Sequence, residues 1–137
     1  MGDHSSILID THILVWLVLG DKQLKTHHIE AINAAASQGE LYCSTISTWE
    51  ISMLEAKAKL KLGMPVLVWI ESIIEKIGLQ LLPISPRIAV DSCNLPDFHA
   101  DPADRIIVST ARIHELQLIS ADKKICDYAG TQNVNVL

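Results

Sequence analysis

Aromatic side chains are scarce, 4% of the residues with a single phenylalanine, which argues against a surface that holds single-stranded nucleic acid by stacking many bases. Positive charge is short as well. Eleven Lys and Arg against sixteen Asp and Glu leave a formal net charge of -5, which argues against binding nucleic acid mainly by neutralising phosphates. The three cysteines, Cys43, Cys93 and Cys126, are odd in number, far apart and not in metal-type pairs. They read as reduced interior residues of a cytosolic protein. No apolar run is long enough for a membrane span: Ile7 to Leu19 is broken by Asp10 and His12 and falls short of the roughly 20 residues needed. No basic stretch precedes it as a signal peptide requires. Repeats, low-complexity tracts and Pro/Gly/Ser-rich linkers are also missing. The expectation is one cytoplasmic domain over residues 1–137, with a core large enough to need no staple.

What the chain has in excess is apolar residues, 49% of the total at a mean hydropathy of +0.27. Part of its surface is therefore expected to be covered by a partner, in an oligomer or complex. Punctuation is evenly spaced and predicts alternating strands and helices. A short buried strand, Ile7 to Ile9, runs into Asp10; Thr11 caps a helix to about Leu19, and Gly20-Asp21 ends it. Thr26 opens a second helix through about Ser37, followed by a strand at Leu41 to Ser44. Ser47 and Glu50 have capping-box spacing and predict a third helix to about Leu62, with Gly63 as its stop. Pro65 starts a fourth helix through about Lys76, Leu79 to Pro83 reads as a strand, and a helix from Pro86 ends near Leu95-Pro96. Asp101-Pro102-Ala103-Asp104 opens a long helix, with Asp101 as N-cap and Asp104 at N3. Gln117 to Ser120 is a strand, Asp122 begins a short helical turn, and Val134 to Leu137 is a last edge strand. The class is α/β, a central, mostly parallel sheet with helices on both faces.

Right-handed crossovers between parallel strands put helix N-termini and strand carboxyl ends on one edge, where such sheets bind ligands. Asp10, Glu50, Asp104 and Asp122 all fall on that edge. Each alone is explained as readily by helix capping. Together they are not, because two carboxylates about 5 Å apart repel by roughly 3 kcal/mol at an effective dielectric of 20. Some stay protonated, or cations sit among them. Arg105 adjoins one acid, but no base is built into all four segments, so a divalent cation is the simpler compensation. Oxygen ligands without His or Cys pairs favour Mg²⁺ or Mn²⁺ over zinc, and such sites serve phosphodiester hydrolysis.

Four stretches, ILIDTHILVW at Ile7 to Trp16, STISTWEISML at Ser44 to Leu54, LPDFHADPADRIIVSTA at Leu95 to Ala111 and LISAD at Leu118 to Asp122, resemble PIN-domain ribonucleases of the VapC type. These are the toxin halves of toxin–antitoxin pairs. The resemblance covers nearly the whole chain and implies a PIN-like fold. It also implies an endoribonuclease whose Asp10, Glu50, Asp104 and Asp122 are catalytic and hold one or two Mg²⁺ or Mn²⁺ ions. It further implies auxiliary hydroxyls at Thr11 and Ser120, a protein antitoxin and a homodimer. Asp101 is read as an N-cap rather than a ligand, and His12 and His99 as structural. Lys57, Lys59 and Lys61, with Arg105 and Lys123-Lys124, form a candidate RNA-binding rim. The AKAKLKLG stretch at Ala56 to Gly63 departs from relatives, which often carry glycine and arginine there. Trp16, Leu17 and Leu19, with Trp49, Met53 and Leu54, are candidates for a groove that takes an antitoxin helix. Two rival readings are an idle scaffold whose acids only cap helices and a receiver-like phosphoacceptor domain.

Overall fold

The fold comes from a computed structural model, which describes residues 6–98 and 101–137; His99 lies outside them. In chain order the elements are β1 (Ile7–Ile9), α1 (Thr11–Leu19), α2 (Thr26–Ser37), β2 (Leu41–Ser44), α3 (Thr45–Ala56) and α4 (Val66–Ile77). Then come β3 (Gln80–Leu82), α5 (Pro86–Cys93), α6 (Pro102–Ile113), β4 (Gln117–Ile119) and α7 (Lys123–Thr131). The strands pair in the order β3-β2-β1-β4, all parallel, with Ile7 opposite both Leu41 and Gln117. The expected α/β architecture is present. None of the helices among the described residues is long and apolar enough to cross a membrane.

Side chains alternate across a strand, so the two sheet faces are apolar with different residues. Ile7, Ile9, Leu41, Cys43 and Ile119 pack with Ile13, Leu14, Ile32, Ile51, Trp69 and Ile73. Leu8 and Leu118 pack on the other side with Ile107, Val108, Ala111, Ile125 and Ala129. Helices therefore cover both faces. With β1 and β4 fixed between two cores, Asp10 and Ser120 at their carboxyl ends have little freedom to move.

Several boundaries differ from expectation, each for a local reason. The cap of α1 is Asp10, not Thr11: the extended backbone continues one residue past β1, and the Asp10 carboxylate accepts from the Ile13 N–H at 3.0 Å. Helix α3 starts straight off β2, with Ser44 rather than Ser47 as N-cap, so Glu50 lies in the second turn and not at N3. At the chain end α7 is a full nine-residue helix rather than a short turn. Beyond it the expected Val134–Leu137 strand is reduced to a single bridge between Leu118 and Val136.

Helix α3 also stops at Ala56, six residues before the expected Leu62. The Ala58 N–H donates to the Glu55 carbonyl and the Lys59 N–H to the Leu54 carbonyl, with Ala58 left-handed at φ 58°. That is a Schellman stop with alanine where glycine is usual. The left-handed conformation costs an L-residue about 1–2 kcal/mol, and glycine's extra freedom in the unfolded chain returns part of that. Ala58→Gly is expected to raise stability by roughly 0.5–1 kcal/mol, read as a higher urea midpoint at unchanged slope.

Helices α5 and α6 are pinned by a bidentate pair, Arg112 donating to both carboxylate oxygens of Asp91. Burial pushes the Asp91 carboxyl up, but the Arg112 hydrogen bonds and charge outweigh it and hold it below its ordinary value. A carboxyl depressed on folding adds stability above its unfolded value, near 4, and that contribution is lost as pH falls through the folded value. The gap in urea midpoint between the native chain and Arg112→Gln is therefore expected to be widest near neutral pH and to close toward pH 3. Since the pair is partly exposed, the gap is small.

Candidate active site

Asp10 is 4% exposed, and every polar atom it presents is engaged. Its N–H donates to the Ile119 carbonyl at 3.1 Å, extending the β1–β4 ladder by one residue. One carboxylate oxygen caps α1 through Ile13, and the other accepts from the Ser120 hydroxyl. The same Ser120 oxygen accepts from the Asp122 N–H at 3.0 Å, so one hydroxyl locks the β1 acid to the loop that carries the β4 acid. Burial pushes the Asp10 carboxyl above its ordinary value; the Ser120 and Ile13 hydrogen bonds oppose the rise without cancelling it, and the charge of Asp104 adds to it.

Glu50 is held from α1. The Thr11 hydroxyl lies within hydrogen-bond reach of a Glu50 carboxylate oxygen and, at 2.9 Å, of the Ser47 hydroxyl. A hydroxyl carries one proton, and a carboxylate only accepts, so Thr11 donates to Glu50 and Ser47 donates to Thr11. This buried relay fixes the rotamer of Glu50 from two elements. Burial raises the Glu50 carboxyl, Thr11 opposes the rise, and the charges of Asp104 and Asp101 add to it.

Asp104 is in the first turn of α6, and Asp101 caps that helix through the Ala103 and Asp104 N–H groups at 2.9 and 3.2 Å. Asp122 caps α7 through the Lys124 N–H at 2.8 Å. All four predicted acids, with Asp101, Thr11 and His12, line one cavity of about 170 Å³ floored by Ile107 and Ile125. Capping and convergence hold together here: three acids satisfy helix ends, and the same helix starts aim at a common space. Among the described lining residues there is no lysine or arginine. A hard divalent cation suits these carboxylate oxygen donors in kind. In this conformation no three acidic, histidine or cysteine side chains among the described residues are gathered to hold a metal.

The other predicted residues are dispersed. Lys57, Lys59 and Lys61 are exposed, but they follow α3 instead of riding on it, alternating with half-buried Leu60 and Leu62 that pack on the core. Arg105 is occupied elsewhere: its guanidinium donates to the Ser92, Leu95 and Phe98 carbonyls at 3.2–3.4 Å and sits 5.9 Å above the Phe98 ring. It anchors the segment before α6 and does not line the acidic cavity. The apolar candidates divide too. Leu17 joins Val18, Met64 and Trp69 along a groove of about 390 Å³ between α1, α2 and α4, whereas Trp49 on α3 is 54% exposed and lies outside that groove.

Sequence reasoning missed Ser47 as a site residue because its spacing to Glu50 imitates a capping box. No residue pattern signals its hydroxyl relay, which exists only once α1 and α3 are packed. Asp101 is the N-cap that the sequence suggests, and it lines the cavity as well, as does His12.

A model of the PIN domain matches residues 7–131. Over 133 residues the chain is 29% identical to Ribonuclease VapC22 of Mycobacterium tuberculosis, covering 96% of this chain and 98% of that one. Among solved structures it is similar to a toxin–antitoxin complex from Klebsiella pneumoniae, at TM-score 0.59 and 23% identity, with 96% of each chain covered. It is also similar to VapBC2 from Rickettsia felis bound to a DNA fragment from their promoter, at TM-score 0.69 and 14% identity, again over 96% of each chain.

Proposed function

Because the chain belongs to the PIN-domain family, we propose that it is a divalent-metal-dependent endoribonuclease, a cytoplasmic toxin restrained by a protein antitoxin. The observation that carries this reading is the meeting of Asp10, Glu50, Asp104 and Asp122 in one cavity at the carboxyl edge of the sheet. The ribonuclease named above, similar from end to end, supports the reaction class. Asp10, Glu50, Asp104 and Asp122 would hold Mg²⁺ or Mn²⁺, which when bound supplies charge neutralisation and an acidified water for phosphodiester hydrolysis. The chain's own task is preorganisation. Ser120 fixes Asp10 against the Asp122 loop, the Ser47–Thr11 relay fixes Glu50, and Ile107 and Ile125 keep the floor apolar, so the orientations of Asp10 and Glu50 are set before RNA arrives.

Lys57, Lys59 and Lys61 are proposed to hold the RNA backbone; Arg105, engaged with three carbonyls, is not carried forward. Changing the three lysines to glutamine is expected to weaken RNA binding and flatten its salt dependence, and an unchanged slope would remove the strip from the interface. The groove between α1, α2 and α4, with exposed Leu19, Leu67 and Val68 on two of those helices, offers apolar surface for an antitoxin helix. The toxin–antitoxin complex among the structural neighbours supports that partner. Exposed Trp49 and Val90 are candidates for a homodimer contact. The test is a mixed RNA pool incubated with the purified chain in Mn²⁺ and in EDTA. Cutting in the first alone supports the reading, and identical products in both overturn the metal dependence.

A further inference from the structure

A second cavity, of about 320 Å³, is linked to the acidic one by the hydrogen bond from its lining residue Ser120 to Asp10. Ile13 and Trp16 of α1, Gln23 and Lys25 of the following loop, His28 of α2, and Ser120 with Ala121 after β4 line it. The Ser120 hydroxyl donates to Asp10 and accepts from the Asp122 N–H, so it bonds to two of the acids. A ring boundary runs between the two spaces as well, because His12, which lines the acidic cavity, stands edge-on to Trp16 at 6.3 Å between centroids. A group seated in the second cavity is thus one side chain away from the acids.

The lining has a definite chemistry. Trp16 offers a half-buried indole and Ile13 an apolar floor. Gln23 is held on the rim by Asp21, which accepts from its backbone N–H at 2.8 Å and from its side-chain amide at 3.4 Å. Lys25 is an exposed cation, and buried His28 has Nε2 3.1 Å from the Leu137 carbonyl oxygen. An aromatic face, an amide carrying both donor and acceptor, and a nearby cation are the groups that recognise a nucleobase by stacking, edge hydrogen bonds and phosphate attraction. An apolar peptide side chain would use neither the Gln23 amide oxygen nor the Lys25 ammonium. The volume lies at the small end of the roughly 300–1,000 Å³ range of ligand pockets.

We infer that this cavity seats the base of the nucleotide adjoining the scissile phosphate, with Trp16 against its face and Gln23 reading its edge. The inference rests on the ribonuclease reading and makes these residues specificity determinants. A chain with 4% aromatics has no stacking platform, but one ring is enough for one base.

The test is binding of four ten-nucleotide RNA homo-oligomers, of A, C, G and U, to the Asp104→Asn chain in EDTA, so that neither cutting nor metal enters. One homo-oligomer is expected to bind at least about 5-fold tighter than the weakest, the scale of one well-made base contact. Gln23→Ala, at an exposed position that does not threaten folding, is expected to flatten that preference. Trp16→Leu is expected to weaken all four by about 5-fold or more, with its unfolding midpoint measured alongside. Equal affinities, no binding of any oligomer, or a preference that survives both substitutions overturns the inference. Failure here leaves cutting of the RNA pool in Mn²⁺ untouched, and failure to cut leaves a base preference intact, so the two readings fail separately.

Discussion

Asp104→Asn and Asp10→Asn are each expected to lower the single-turnover rate of RNA cleavage in Mn²⁺ by roughly 10²–10⁴-fold while leaving the chain folded, the range typical of losing a group that acts on the proton or charge of the reaction. The substitution keeps the shape, removes the charge and turns one acceptor oxygen into an N–H donor. At position 10 the amide oxygen still accepts from the Ile13 N–H, so the α1 cap survives. Burial already works against the ionised carboxyl there, and the Asp104 charge adds to that penalty, so removing the charge relieves a cost in the metal-free fold. Urea unfolding in EDTA is the control, with both variants folded and the Asp10→Asn midpoint at or above that of the native chain. Variants that cut like the native chain would make the acids helix caps and nothing more, the scaffold reading. Thr11→Val is the intermediate case: Glu50 keeps its charge but loses the hydroxyl that orients it, so the rate loss is smaller than for either acid.

The parts of the fold that could be read from the residues are those where one interaction decides the outcome. Three consecutive aliphatics at Ile7-Leu8-Ile9 belong in a strand buried on both faces, and Asp101-Pro102 starts a helix whatever surrounds it. Parallel crossover then fixes one edge for Asp10, Glu50, Asp104 and Asp122, so their meeting in a single cavity follows from topology without any knowledge of packing. What was not legible depends on tertiary choice. Ala58 carries no stop signal; it takes a left-handed conformation because Leu60 and Leu62 have to turn back onto the core. Arg105 looks like a phosphate ligand beside an acid, and only the folded Ser92–Phe98 segment shows its guanidinium filled with carbonyls. Ser47 misled for the opposite reason: a local pattern was satisfied in sequence and overridden by a helix that starts three residues earlier, at Ser44.

The second large effect expected is a reversal of stability order with metal. In EDTA the cavity confines five acids with no lysine or arginine among its described lining residues, and their mutual repulsion opposes the fold. A divalent cation that binds the folded cavity and not the unfolded chain stabilises by RT ln(1 + [L]/Kd), about 2.7 kcal/mol at one hundred times Kd. Drawing in the acids, which in the metal-free conformation are not gathered as a ligand set, uses some of that gain, so the measured shift is the net of contacts and rearrangement and a lower bound on the contacts alone. The native chain is therefore expected to rise in urea midpoint as Mn²⁺ is added, and Asp10→Asn, at least as stable without metal, to rise far less and be overtaken. Asp21→Asn, at a loop acid outside the cavity, serves as the control for non-specific cation effects and should track the native chain. A native midpoint that Mn²⁺ does not move, or that moves equally in Asp10→Asn, would mean that the cavity is not where the cation acts.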